Sequence, residues 1–162
     1  MPIKLDRFEI EQCGFVTSIR VARVLSEDLP ETYGSQRQNV DAQHNIYARH
    51  FEGAMAECAW AKLSNQYWPG AGVEIDGVDV GECDEVKHSA HQDGSGKYDG
   101  RLLVQKNGRD ERRFILIVGK LGVYQYRGWM PGLEAKQSKY WNESMPRPCY
   151  AVPQEDLHKG RT

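Results

Sequence analysis

Residues 114–118 read F-I-L-I-V, apolar at every position. A strand with one solvated face alternates apolar and polar side chains. Unbroken burial needs cover on both faces, so this run predicts a central strand. Working outward, Y-Q-Y-R-G-W at 124–129 alternates and predicts a second strand, and 102–106 a third. Asn107-Gly108 makes a turn, but the charged run R-D-E-R-R at 109–113 predicts a loop longer than a two-residue hairpin. Short strands are expected at 77–80 and 83–88. Residues 132–141 look helical. The tail, with Pro146, Pro148 and Pro153, is expected to wrap the surface in extended form.

Upstream, 39–67 predicts a long helix, with Asn39 or Asp41 able to cap it. Its segment F-E-G-A-M-A-E-C-A-W-A-K-L is rich in small residues, which lets a helix lie close on a sheet despite the propensity cost of Gly53. His50, Gly53 and Glu57 fall on one side of it. Trp68-Pro69-Gly70 ends the element. Before it, 16–25 suits a short helix or a strand, and 28–38, with Pro30 and Gly34, a loop. Residues 90–100 carry three glycines and predict a mobile loop. The order of helix, several strands and helix gives a mixed α/β domain with helices covering a sheet.

A length of 162 residues suits one domain, and 40% hydrophobic residues suit one substantial core. The expected organisation is a single domain over 1–162, with an N-terminal extension over 1–38 and an extended tail over 142–162. The 21 Lys and Arg against 23 Asp and Glu give a formal charge of -2, which argues against a non-specific nucleic-acid coat but allows a local basic groove. No apolar run is long enough to span a membrane, and the opening M-P-I-K-L-D-R-F is too charged for a secretory signal. Cys13, Cys58, Cys83 and Cys149 form no C-x-x-C pair, which weakens a structural zinc site and favours buried free thiols in a cytoplasmic protein.

The chemistry concentrates in D-V-G-E-C-D-E-V-K at 79–87. Glu85 and Lys87, two apart on a strand, project from one face, and Val86 between them points into a core. A turn at 81–83 folding 78–80 against 84–87 brings Asp79 toward Glu85. Paired carboxylates repel, and a hard divalent cation removes that cost. The Val86 carbonyl can add a ligand. Lys87, beside the metal, can polarise a water and stabilise charge developing on a phosphate. Glu57, from the preceding helix, is a fourth member that can bind a second metal, hold a water or assist a base. His50 can contact the phosphate. His88 and His91 suit phosphate contact or the surface better than metal ligation. The competing reading is a salt-bridged, solvated E-x-K face.

The segments G-A-M-A-E (53–57), V-D-V-G (78–81) and D-E-V-K (84–87) resemble the PD-(D/E)XK nuclease superfamily, which includes restriction endonucleases, Holliday-junction resolvases and phage and repair exonucleases. The resemblance implies a restriction-endonuclease-like core, a mixed β-sheet flanked by helices. It implies that Asp79 is the first acid, Glu85 and Lys87 the second acid and lysine, and Glu57 the helical glutamate. Magnesium is the implied cofactor, with manganese able to substitute, and DNA the substrate. Val78 stands where the pattern has proline. The Q-x-x-x-Y signature of some exonuclease branches is absent, since Gln92 is followed by Gly96. The segment R-G-W at 127–129 and the chain's size look similar to small stand-alone phage members, in a bacterial or phage-infected cytoplasm.

Candidate phosphate contacts are His50, His88, Arg101, Lys106, Arg109, Arg112 and Arg113, which would position a backbone without reading sequence. Trp129 and Trp141 fit core packing better than a stacking platform. The 90–100 loop, directly after Lys87, can order over substrate. The expected function is metal-dependent hydrolysis of DNA phosphodiester bonds, with a homodimer able to supply two cuts. The alternatives are a catalytically silent DNA-binding or phage accessory protein on the same scaffold, and a protein-interaction module with a solvated acidic strand.

Overall fold

The computed structural model describes residues 1–26, 40–72, 77–90, 100–145 and 147–160, with the backbone alone at 40–45. The loop expected at 28–38, the proposed cap Asn39, most of the 90–100 loop, His91, Gln92, Gly96 and Pro146 lie outside these descriptions, and the other proposed cap, Asp41, is already helical. Among the described residues no helix is long and apolar enough to cross a membrane.

Strand β1 (Ile3–Lys4) is followed by helix α1 (Arg7–Ser26) and helix α2 (Val40–Ser64). The ambiguity at 16–25 resolves as helix. Asp6 and Glu9 close a reciprocal capping box: the Glu9 N–H donates to Asp6 Oδ1 (2.9 Å) and the Asp6 N–H to Glu9 Oε2 (2.7 Å). Cys13, Val16, Thr17 and Val24 then recur on the buried face. Helix α1 thereby supplies part of the core. Helix α2 buries Ala54, Met55, Ala56, Ala59 and Trp60. Its small residues let it sit close on the sheet, as the sequence predicts.

Strands β2 (Asp84–Ser89), β3 (Leu102–Val104), β4 (Arg113–Lys120) and β5 (Val123–Pro131) follow. The main sheet has the order β1-β5-β4-β2, with β2 parallel to β4 and the other pairs antiparallel. Strand β4 is internal and divides its residues between two cores. Ile115 and Ile117 join the α1–α2 side, with Val16, Ala56, Trp60 and Tyr124. Phe114, Leu116 and Val118 join the other side, with Leu102, Val104, Met130 and Val152. The unbroken F-I-L-I-V run follows from this double cover.

The second cover is a small antiparallel sheet, β3-β7-β6, in which β6 is Trp141–Asn142 and β7 is Cys149–Val152. The tail is thus not merely surface wrapping: Ala151 and Val152 are buried and β7 pairs with β3. The helix expected over 132–141 is only one turn, α3 (Gly132–Ala135), followed by a 3-10 turn at Ser138–Tyr140. Residues 157–160 close over β5, with Trp129 and His158 exchanging backbone hydrogen bonds of 3.0 Å. Gly128 (φ 142°) permits this, since a Cβ there would stand 2.6 Å from Leu157 Cβ. The result is a mixed α/β fold with a central mixed sheet flanked by helices.

Candidate active site at the edge of β2

The expected strand at 77–80 is not formed. Residues 77–79 are irregular, and Val80 makes one isolated antiparallel bridge with Asp84. Gly81, at φ 62°, turns the chain there, and its N–H donates to the Tyr67 carbonyl (2.9 Å). Val80 is fully buried and anchors the turn. Asp84 anchors the other side: fully buried, it accepts from Trp60 Nε1 (2.8 Å) and Gln66 Nε2 (3.2 Å) and pairs with Arg113 (2.6 Å). The tight turn leaves no length for a paired strand before it, yet it still delivers Asp79 to β2.

Asp79 Oδ2 accepts the Val86 N–H at 2.8 Å. Strand β2 pairs with β4 along one edge, and the Val86 N–H and C=O face the other. Asp79 therefore sits at the edge of β2 that faces away from β4. Glu85 and Lys87 project together, as period-two alternation requires, with Lys87 Nζ 2.6 Å from Glu85 Oε1 and 5.7 Å from the centroid of the Phe114 ring. Val86 packs toward the α1–α2 core. Arg112, buried, reaches the second oxygen of Glu85 at 3.0 Å.

Glu57 approaches from α2. It is 6% exposed, so its charge needs a partner, and Arg20 of α1 supplies one in a bidentate pair of 2.8 and 2.7 Å. The Trp68 indole adds a third hydrogen bond (2.9 Å), and Arg20 also donates to the Gly70 carbonyl (2.8 Å). His50 shares this neighbourhood. Burial first, and Arg20 second, hold its imidazole below the usual range, with Glu57 opposing.

Asp79 lies in electrostatic reach of both groups. Burial and then the Glu57 carboxylate push its pKa up to about 7, with Glu85 adding to the rise, while the Val86 N–H and Lys87 pull it down. Glu85 behaves oppositely. Burial works to raise it, but Lys87 and Arg112 outweigh burial and hold it below the usual carboxylate range. The two acids of one short segment are thus driven apart in proton affinity.

The structure brings together Asp79, Glu85, Val86, Lys87 and Arg112, with Glu57, His50 and Arg20 adjoining. Other expected contacts lie elsewhere. His88 is on the opposite face from Lys87, with Nε2 2.7 Å from the Gly119 carbonyl and its ring edge-on to Tyr124. Arg113 is spent on Asp84 and lies over the Trp129 ring. Arg101, Lys106 and Arg109 are exposed, and no described contact joins them to the group. Trp129 and Trp141 pack against His158 and Tyr150.

Sequence reasoning missed Arg20 and Trp68. Arg20 had a signal: it stands among Val16, Thr17 and Val24 at helical spacing, a cation on an apolar stripe. Trp68 was legible only as part of a helix terminator.

The donors are chemically suited to a small hard cation, being carboxylate oxygens and one edge carbonyl. Two of the carboxylates already carry counterions, Glu57 from Arg20 and Glu85 from Lys87 and Arg112. Among the described residues no three His, Cys, Asp or Glu side chains gather into a cation-holding group. In comparisons with protein-family models, curated proteins and solved structures, nothing matches the chain.

Proposed function

We propose that this edge site hydrolyses DNA phosphodiester bonds with a divalent cation, magnesium or manganese, on a restriction-endonuclease-like scaffold of the PD-(D/E)XK kind. The observation that carries the reading is the convergence of Asp79 on the Glu85–Lys87 strand through the Val86 N–H (2.8 Å). Asp79, Glu85 and the Val86 carbonyl would hold the cation, with Glu57 adjoining. Asp79 is the under-neutralised member, because burial and Glu57 penalise its charge. When bound, the cation supplies Lewis-acid polarisation of a phosphate oxygen and a water of lowered pKa. Lys87, held by Glu85, would orient that water and stabilise charge developing on the phosphate. Arg112 fixes Glu85 from the other side and can turn toward a phosphate as substrate arrives. His50, kept neutral, can accept or donate at a neighbouring phosphate oxygen.

The test is a panel of linear, nicked, branched and single-stranded DNA, with one RNA, incubated in Mg²⁺ or in EDTA. Cleavage of at least one DNA in Mg²⁺, lost in EDTA, is the expected outcome. An intact panel in Mg²⁺ and in Mn²⁺ contradicts the proposal.

One observation favours a second reading. Arg20 and Arg112 neutralise Glu57 and Glu85 from within the chain. A silent DNA-binding or accessory protein would keep such ion pairs permanently. It predicts salt-sensitive DNA binding with no turnover in any metal.

A further inference from the structure

Two of the four free cysteines face one another between α1 and α2. The helices run antiparallel, since Glu9 meets Lys62 (2.8 Å), Gly14 lies against Phe51 and Ser18 reaches Tyr47 (3.5 Å). Cys13 is one turn beyond Glu9, and Cys58 is one turn before Lys62, so both stand at the same level of the interface. Both are buried and belong to the α1–α2 core, and each bears on the other's proton affinity, Cys58 raising that of Cys13 and Cys13 lowering that of Cys58. Gly14, Thr17, Ala54 and Ala61, one position or one turn from the pair along the two helices, add little bulk, which lets the two backbones approach. The other two cysteines have different surroundings: Cys83 is beside Asp84, and Cys149 lies on Met145.

We propose that Cys13 and Cys58 form a reversible redox pair, closing to a disulfide between α1 and α2 in the presence of a small hydroperoxide. Cys58 is 7% exposed and Cys13 fully buried, so the oxidant meets Cys58 first. The Cys58 thiolate attacks the O–O bond of the hydroperoxide, leaving a sulfenic acid and releasing water or an alcohol once the leaving oxygen is protonated. The Cys13 sulfur then attacks the Cys58 sulfur. An S–S bond forms, the S–O bond breaks, and hydroxide leaves with the Cys13 proton as water. Two electrons pass from the thiols to the peroxide, and a dithiol reductant returns them. The bond ties α1, with Arg20, to the α2 turn that carries Glu57. This pair stands independently of the proposed hydrolysis.

The test uses the full chain. It is treated with hydrogen peroxide, unfolded in N-ethylmaleimide and mapped by peptide mass. The expected result is two of four thiols protected, one linked peptide joining Cys13 to Cys58, and full recovery with dithiothreitol. The oxidised chain should unfold about 5 °C higher, because the bond restricts the unfolded state. Cys83→Ser and Cys149→Ser should leave the link intact, and Cys58→Ser should abolish it. Alkylation of all four thiols, a link to Cys83 or Cys149, or irreversible oxidation of Cys58 without a link overturns the proposal. The wild-type map alone decides, whether or not Cys58→Ser folds.

Discussion

At the scale of single residues, Asp79 and Glu57 show what buried charge requires. The Asp79 pKa rises from 3.8 to about 7, with burial the largest cause. Between those values the folded chain holds a proton that the unfolded chain has released. Stability therefore falls as pH rises through that window, and the full penalty stands above pH 7. Asp79→Asn keeps an acceptor for the Val86 N–H but removes the charge. In EDTA it should raise stability by about 2 kcal/mol at pH 8, with the gain fading toward pH 4; paired urea titrations at the two pH values check this. Glu57 answers the same problem with a partner. Arg20→Ala should cost about 3 kcal/mol, because it leaves a carboxylate buried without its guanidinium. Adding Glu57→Gln to that variant should recover part of the loss in the same titrations. Asp79, Glu85 and Lys87 were readable as a candidate group from spacing alone. Arg20 was legible only as a cation on the apolar stripe of α1; its pairing with Glu57, 37 residues away, leaves no local pattern.

At the scale of elements, period and turn chemistry explain both the successes and the misses. The F-I-L-I-V strand and the small-residue helix were legible because burial imposes a period that the residues must follow. The length of the helix after β5 was not, because 132–141 offers polar residues that suit either a helix or turns. Helix α1 had a readable start in Asp6 and Glu9, three apart, which the ambiguous periodicity of 16–25 obscured. Asp6→Ala should remove one half of that capping box and destabilise the chain by about 1 kcal/mol, read as a shift of the urea midpoint at unchanged slope. Strand β5 offers a second check. Gly128→Ala would press a methyl group onto Leu157 Cβ and the His158 carbonyl, and should cost about 2 kcal/mol with loss of order at the C-terminal closure. Solution NMR of the Trp129 and His158 amides would follow that release.

At the scale of the whole molecule, the two covers of the main sheet divide the labour. The α1–α2 layer carries Arg20, Glu57 and His50. The strand at the sheet's edge carries Asp79, Glu85 and Lys87. The second sheet backs Phe114, against which Lys87 lies. The mixed α/β architecture was legible from element order, but the second sheet was not, since β7 is only four residues long and is flanked by prolines. Among the described residues, the edge of β2 concentrates acids, a lysine and an arginine around a backbone donor. On the proposed function, this edge cleaves DNA with a divalent cation. The most direct test is the cleavage rate of a DNA that the wild-type chain cuts in Mg²⁺, measured for Asp79→Ala, Glu85→Ala and Lys87→Ala beside folded controls. Each variant should lose activity by at least about a hundredfold while keeping wild-type circular dichroism. Undiminished cleavage by all three would contradict the account.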